Sequence, residues 1–422
     1  MTWKYLKFHL RLYASASAMT PGRCVPGFTL VILMFCLLWS GVLCAGQELP
    51  CPDSIRSTDA LVVADPDGRI IYKKNETKKC IPASTLKILT ALTAIHHLGA
   101  HYRFPTQFYM DPDQNLKVKG YGDPLLVSEV WQEIADALSK EIGEFRNLVL
   151  DDTYFAHHIV IPGRRHSTNP YDAPVGALCA NFNTLFFERD QQGRIISSEP
   201  QTPLIPFARK RIQRLGLKRG RYTFSHDQKE ITRYAGELLL HFLQKKGVNG
   251  QGKIYMGDVK AGDRLIYDYR SRYTLEQALS KMLEFSNNFM ANQICIALGA
   301  QIYGPPGTLE KGVKVMSSFA KSELHLESLE IVEGSGISRK NRLSAMEMLT
   351  ILKRFKPYRH TLVREEKLLY KTGSLRGIRT RAGYLEGPGG GYYYIVVFLN
   401  RARPDMNTVM RCLTQTLTQD PP

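Results

Sequence analysis

The spacing of apolar residues changes several times along the chain. Residues 60–64 (ALVVA) and 69–73 (RIIYK) are short β-rich runs joined by Asp65-Pro66-Asp67-Gly68, turn chemistry that predicts a hairpin. Over residues 84–98 the period lengthens. Leu86, Leu89, Leu92 and Ile95 recur at helical spacing, further apolar residues occupy the other faces, and Gly99 follows. This predicts a buried helix that begins at Ser84.

From residue 102 to 269 the pattern is mixed. It predicts strands near 106–110, 116–119 and 147–150, a helix near 128–139, and another over 231–244 whose run ELLLHFL needs a partner surface. Thr274-Leu275-Glu276-Gln277 and Ser344-Ala345-Met346-Glu347 both have the form of capping boxes, opening helices towards Phe285 and Lys353. Strands follow at 367–370, 379–385 and 392–399, the last two separated by a glycine-rich turn, and an amphipathic helix at 406–417 closes the chain. Strands at both ends with helices between them predict an α+β fold. Its antiparallel sheet combines the first hairpin with the last three strands, and the central helices flank it. Residues 47–101 and 270–422 then make one body, and 102–269 is an inserted mixed α/β region or second domain.

The first 46 residues read differently. Residues 28–39 (FTLVILMFCLLW) are apolar apart from Thr29, bases precede them and small residues follow, the order of a signal peptide cleaved near Ala45 or Gly46. A retained anchor is the alternative, and Met19 offers a second start. Export allows disulfides, and five cysteines follow residue 46; Cys51 and Cys80 flank the hairpin and are the expected bridge, with Cys295 a buried apolar residue.

Lys plus Arg number 56 against 39 Asp plus Glu, a net charge of +17. Such a balance favours anionic surroundings and is compatible with peripheral association with a membrane. No Cys/His finger, RNA-recognition signature or basic zipper is present, which argues against nucleic acid. The densest basic run, 210–221, reads as a solvated loop or an envelope-facing patch. No metal-ligand spacing appears, and no cofactor is called for.

Ser84-Thr85-Leu86-Lys87 puts a hydroxyl and an amine three residues apart on one helical face. Alone this means little, since Ser318 to Lys321 repeats the spacing, just as Ser167-Thr168-Asn169 duplicates the form of Ser286-Asn287-Asn288. Lys371-Thr372-Gly373 occurs once, on a predicted strand, after both. That ordered trio is the signature of serine acyl-transfer enzymes. A serine hydroxyl needs a base to take its proton, and Lys87 serves only if burial and a second cation, Lys371, keep it neutral.

With these motifs the sequence resembles the penicillin-binding and β-lactamase superfamily. It is most similar to the D-alanyl-D-alanine carboxypeptidase/endopeptidase family of class C low-molecular-mass penicillin-binding proteins. Gly122-Asp123-Pro124-Leu125, the 171–178 stretch leading to Asn181 and Asn183, Glu333 to Arg339, and Lys371 to Leu375 also match. The resemblance implies a periplasmic or cell-envelope DD-peptidase that acts on peptidoglycan stem peptides and is trapped by β-lactams. Ser84 would be the nucleophile, Lys87 its base, Ser286 a proton relay, and Asn288 the holder of the substrate amide. Lys371, Thr372, Gly373 and Ser374 would bind the substrate's terminal carboxylate, with the Ser84 and Ser374 N–H groups as oxyanion hole. Asp123 is a turn former or a substrate-site residue. Asp152 either faces the amino group of a cross-linking diamino acid or is structural. A β-lactamase or esterase on the same fold is the rival enzyme, but no Glu-x-x-Leu-Asn loop is present and Ser286 stands where class C β-lactamases carry tyrosine. The rival outside enzymes is a catalytically inactive binding protein of the envelope.

Overall fold

The predicted hairpin forms from β1 (Ala60–Ala64) and β2 (Ile70–Lys74), in a computed structural model that describes residues 54–418. The expected signal peptide and Cys51 lie outside the described residues. A 3₁₀ turn, Ala83–Leu86, leads into α1 (Lys87–Leu98), so the helix predicted from Ser84 begins with a tighter turn than an α-helix has.

The next stretch supplies β3 (Pro105–Met110), β4 (Leu116–Gly120), α2 (Ser128–Glu141) and β5 (Leu148–Asp151). It continues with β6 (Thr184–Arg189), β7 (Ile195–Ser197), α3 (Pro206–Leu215), β8 (Gly220–Thr223), α4 (Gln228–Lys245), β9 (Ile254–Met256) and β10 (Arg264–Arg270). Then come α5 (Leu275–Glu284), α6 (Asn288–Tyr303), α7 (Leu309–Leu324) and α8 (Ala345–Phe355). The chain ends in β11 (Val363–Glu365), β12 (Leu368–Leu375), β13 (Ile378–Glu386), β14 (Tyr392–Asn400) and α9 (Met406–Thr418).

The fold is α+β. Its main sheet has the order β11-β12-β13-β14-β1-β2, antiparallel throughout. Both faces of β1 are covered, which is why its sequence runs apolar without alternating. Ala60, Val62 and Ala64 join the core formed with α1, α6 and α8, while Leu61 and Val63 pack with Val409, Met410 and Leu413 of α9. The edge strand β11 was not foreseen, because three exposed residues leave no apolar pattern to read.

A second sheet, β9-β5-β4-β3-β10, has its own core against α2 and α4. Trp131, Ile134 and Leu138 of α2 and Tyr234, Leu238 and Leu239 of α4 are its centre, so the partner that ELLLHFL requires is α2 and this sheet. The basic run 210–221 is not simply a loop. Its first half is the end of α3, a helix opened by Pro206 and stopped at Gly216, cues that outweigh its charge density.

The expected Cys51–Cys80 bridge does not form. Cys80 is a free, buried thiol at the lone bridge between its own backbone and that of Leu343, whereas Cys412 on α9 is disulfide-bonded. Cys295 is buried, as expected. Among the described residues, no helix is long and apolar enough to cross a membrane.

Both capping boxes close with their two reciprocal hydrogen bonds, Thr274 with Gln277 and Ser344 with Glu347. Ser344→Ala is expected to cost about 1 kcal/mol. The measurement is the urea midpoint of the variant against wild type, and an unchanged midpoint would contradict the assignment.

Candidate active site

The helix that carries Ser84 is buried all round, and this decides the state of its lysine. Leu86, Ile88, Leu89 and Ala91 are all inaccessible, so Lys87, three residues beyond Ser84, goes into the interior with 0% exposure. Its Nζ meets three oxygens: Ser84 Oγ at 3.0 Å, Asn288 Oδ1 at 2.7 Å and the Ser335 carbonyl at 2.7 Å. Burial holds this amine well below its ordinary pKa, nearby Lys371 lowers it further, and Glu333 opposes them. A neutral amine has two N–H bonds and one lone pair. It can donate to Asn288 and Ser335 and keep its lone pair for the Ser84 hydroxyl proton.

Ser286 and Asn288 sit where α5 gives way to α6. Ser286 takes φ +51, a conformation disfavoured for an L-residue, and Asn287 caps α6 by accepting from the Met290 N–H at 3.1 Å. This sharp turn puts Asn288 on the first turn of α6, against Lys87. Lys371 is buried in β12 and donates to the Thr372 carbonyl at 3.0 Å; burial brings its pKa down to about 8.

Two glycines let the backbone close on Ser84. A Cβ at Gly373 would lie 2.2 Å from Thr380 Oγ1 and 2.8 Å from the Ser84 nitrogen. At Gly336, φ is +81 and a Cβ would lie 1.9 Å from the Ala83 carbonyl oxygen. Ala83 itself is held at φ +48, and the hydroxyls of Thr85 and Thr380 both donate to the Pro82 carbonyl at 2.7 Å. Gly336→Ala must therefore push the serine turn away. The expected result is a loss of at least about 10²-fold in kcat/KM, the scale of an ångström's misplacement, together with a lower melting temperature; wild-type values for both would refute it.

Glu333 matched the family by sequence but was given no role there. Fully buried, it accepts from Asn292, Asn341, the Ser335 hydroxyl and the backbone N–H groups of Ser335, Gly336 and Ser338. This fixes the turn whose Ser335 carbonyl takes Lys87. An acid beside Gly-Ser-Gly was the available signal, but its donors are only partly local. Ser335 contributes its carbonyl to Lys87 and its side chain to Glu333.

Ser84, Ser286, Asn288 and Ser374 line one cleft of about 880 Å³. Arg164, Arg165, Arg339, Lys340 and Arg376 also line it, against one acid, Asp172, whose oxygens accept from the Arg165 N–H and the Ser167 hydroxyl. Asp123 and Asp152 are not among the lining residues. Asp123 is buried, accepts from the Leu125 N–H at 2.8 Å, and is pushed up to about 6 by burial. Asp152 accepts from Thr232 at 3.0 Å and Gln228 at 3.3 Å, so it ties β5 to α4. Burial raises its pKa too. The reading that it faces a substrate amine could not anticipate these partners, some 80 residues away in sequence.

An antiparallel sheet flanked by helices, with Ser84, Ser286 and Asn288 lining one cleft and Lys87 buried against Ser84 and Asn288, defines a fold of the penicillin-binding class. Among solved structures, penicillin-binding protein 4 (DacB) of Haemophilus influenzae superposes with a TM-score of 0.68 at 19% identity, over 86% of this chain and 96% of that one. The same protein complexed with a β-lactam gives a TM-score of 0.65 at 19% identity, over 87% and 98%. By sequence, the D-alanyl-D-alanine carboxypeptidase DacB of H. influenzae is 23% identical over 79% of this chain and 83% of its own length. A D-alanyl-D-alanine carboxypeptidase of an Actinomadura species is 22% identical over 80% and 76%.

The D-Ala-D-Ala carboxypeptidase 3 (S13) family matches residues 52–215 and 218–361. The chain belongs to this family and is a serine-type D-Ala-D-Ala carboxypeptidase.

Proposed function

We propose that this carboxypeptidase is exported to the cell envelope and works through an acyl-enzyme on Ser84. Lys87 takes the Ser84 proton as Oγ attacks the carbonyl of the penultimate D-alanine of a peptidoglycan stem peptide. The Ser84 and Ser374 N–H groups hold the oxyanion, worth about 3 to 4 kcal/mol in such sites. Collapse of the tetrahedral intermediate breaks the peptide bond, Ser286 relays a proton to the leaving D-alanine nitrogen, and water hydrolyses the ester. Lys371 supplies positive charge for the terminal carboxylate, with Thr372 and Ser374 beside it. The same reading makes 47–101 with 270–422 the catalytic body and 102–269 an insertion, and extends to D-alanyl cross-links as substrates. The observation that carries it is the buried Lys87 amine, 3.0 Å from Ser84 Oγ with its two other partners already assigned.

β-Lactams should acylate the same serine, as the complex of the H. influenzae relative with such a compound suggests. The test is fluorescent penicillin, incubated with wild type and Ser84→Ala and followed by denaturing electrophoresis. A label on wild type that the variant lacks supports the reading. Labelling that survives in the variant, or its absence from wild type, would reject Ser84; antibiotic destroyed without labelling would favour the β-lactamase.

The pH profile follows from the two amines. Lys371 is a cation below about 8 and neutral above, so kcat/KM should fall on the alkaline side with an apparent pKa near 8. The acid limb comes from protonation of Lys87. Lys371→Arg stays charged at every working pH and should keep the acid limb while losing the alkaline one. An alkaline limb that persists in the variant assigns it to another group.

A further inference from the structure

The loop that carries Ser286 and Asn288 has a second side. Ser286 and Asn288 face the catalytic cleft, but their neighbours Phe285 and Asn287 line a separate cavity of about 410 Å³. The partition continues across the gap, where Pro170 lines this cavity and Tyr171 lines the cleft. Its apolar walls come from both cores: Val127 packs against that of the second sheet, Phe182 and Met290 belong with that of the main sheet, and Tyr273 touches both.

Two cations, Arg221 and Lys281, line the cavity, and among the described residues no acid does. Arg221 is already engaged, in an ion pair with Glu199 and over the ring of Phe186. Lys281 is half-buried, with its Nζ 5.7 Å from the centre of the Tyr273 ring. Among the described residues it has no carboxylate partner. An apolar cavity with one uncommitted cation at its wall is complementary to an apolar body that carries a single negative charge.

We propose that this cavity binds a small amphipathic anion, its carboxylate at Lys281 and its apolar body against Val127, Phe182 and Met290. The site is distinct from the one that would take the peptide's terminal carboxylate, because the Ser286 loop stands between them.

The experiment is calorimetric titration of the full-length protein with 4-phenylbutyrate and its neutral analogue 4-phenylbutyramide. The expected result is saturable one-to-one binding of the acid, at least tenfold tighter than the amide. Lys281→Gln should reduce the acid's affinity to the amide's, and Val127→Trp, which fills the cavity, should remove both; thermal melts verify that the variants are folded. Ser84→Ala should bind the acid as wild type does. Equal affinity for acid and amide, a preference that survives Lys281→Gln, or binding lost in Ser84→Ala would each overturn the proposal.

Discussion

Lys87→Met is expected to lower kcat/KM on a D-Ala-D-Ala peptide by about 10⁴-fold, the loss typical of removing a general base that acts in concert with its nucleophile. The same substitution should change how stability depends on pH. A lysine whose folded pKa is depressed is neutral in the folded chain and protonated in the unfolded chain between that pKa and its ordinary 10.5. The unfolded state binds the extra proton, so stability rises with pH across the window, by roughly 1 kcal/mol per pH unit for each such group. Lys87 contributes over the whole of it and Lys371 only from about 8 upwards. Methionine at 87 should therefore remove one of two proton steps between pH 8 and 10.5, measured as urea midpoints of variant and wild type at pH 7, 9 and 10. It also leaves Asn288 Oδ1 and the Ser335 carbonyl without their donor, which costs about 1 to 3 kcal/mol at any pH. Parallel curves, offset but equal in slope, would mean that Lys87 is charged in the folded enzyme.

Glu333→Ala should be the most destabilising single change near the site. Its carboxylate accepts from two side-chain amides, one hydroxyl and three backbone N–H groups, all buried. Alanine strands them together, and about 3 to 5 kcal/mol is the expected loss. Glu333→Gln keeps the shape but brings an NH₂ against N–H donors, so it should fall between alanine and wild type. Activity should fall with stability, because the Ser335 carbonyl that holds Lys87 belongs to the same turn. A denaturation midpoint for Glu333→Ala equal to wild type would show that the turn holds itself.

Legibility in the sequence followed distance along the chain. Ser84 and Lys87 could be read together because one helical turn places them together, and the capping boxes at Thr274 and Ser344 were readable for the same reason. The juxtaposition of Ser286, Asn288 and Ser374 with Ser84 needed the ordered trio and the family resemblance, since no local rule links residues 200 or more positions apart. Where partners are distant and carry no motif, reading failed. Cys80 was assigned to Cys51 by proximity, but its neighbour is Leu343. Asp152 was left open between a substrate-facing and a structural role, and its partners Thr232 and Gln228 on α4 were not readable from the sequence. β10 carries Leu265, Ile266, Tyr267 and Tyr269 between charged residues, a mixed pattern that was not read as a strand, and it pairs with β3 about 160 positions earlier.

The order β12-β13-β14-β1-β2 also sets a timetable for synthesis. The strand beside the Ser84 turn, and the two that join it to β1, are the last strands made, the first of them about 290 residues after the nucleophile. Contacts so distant form slowly, because the intervening chain must be ordered first. The second sheet has its own core between these ends and can condense earlier, whereas the catalytic turn lacks its sheet contacts until β12, β13 and β14 are complete. A growing chain thus carries its serine and lysine from an early stage but cannot use them, and a product truncated before β14 would be inert however intact its motifs.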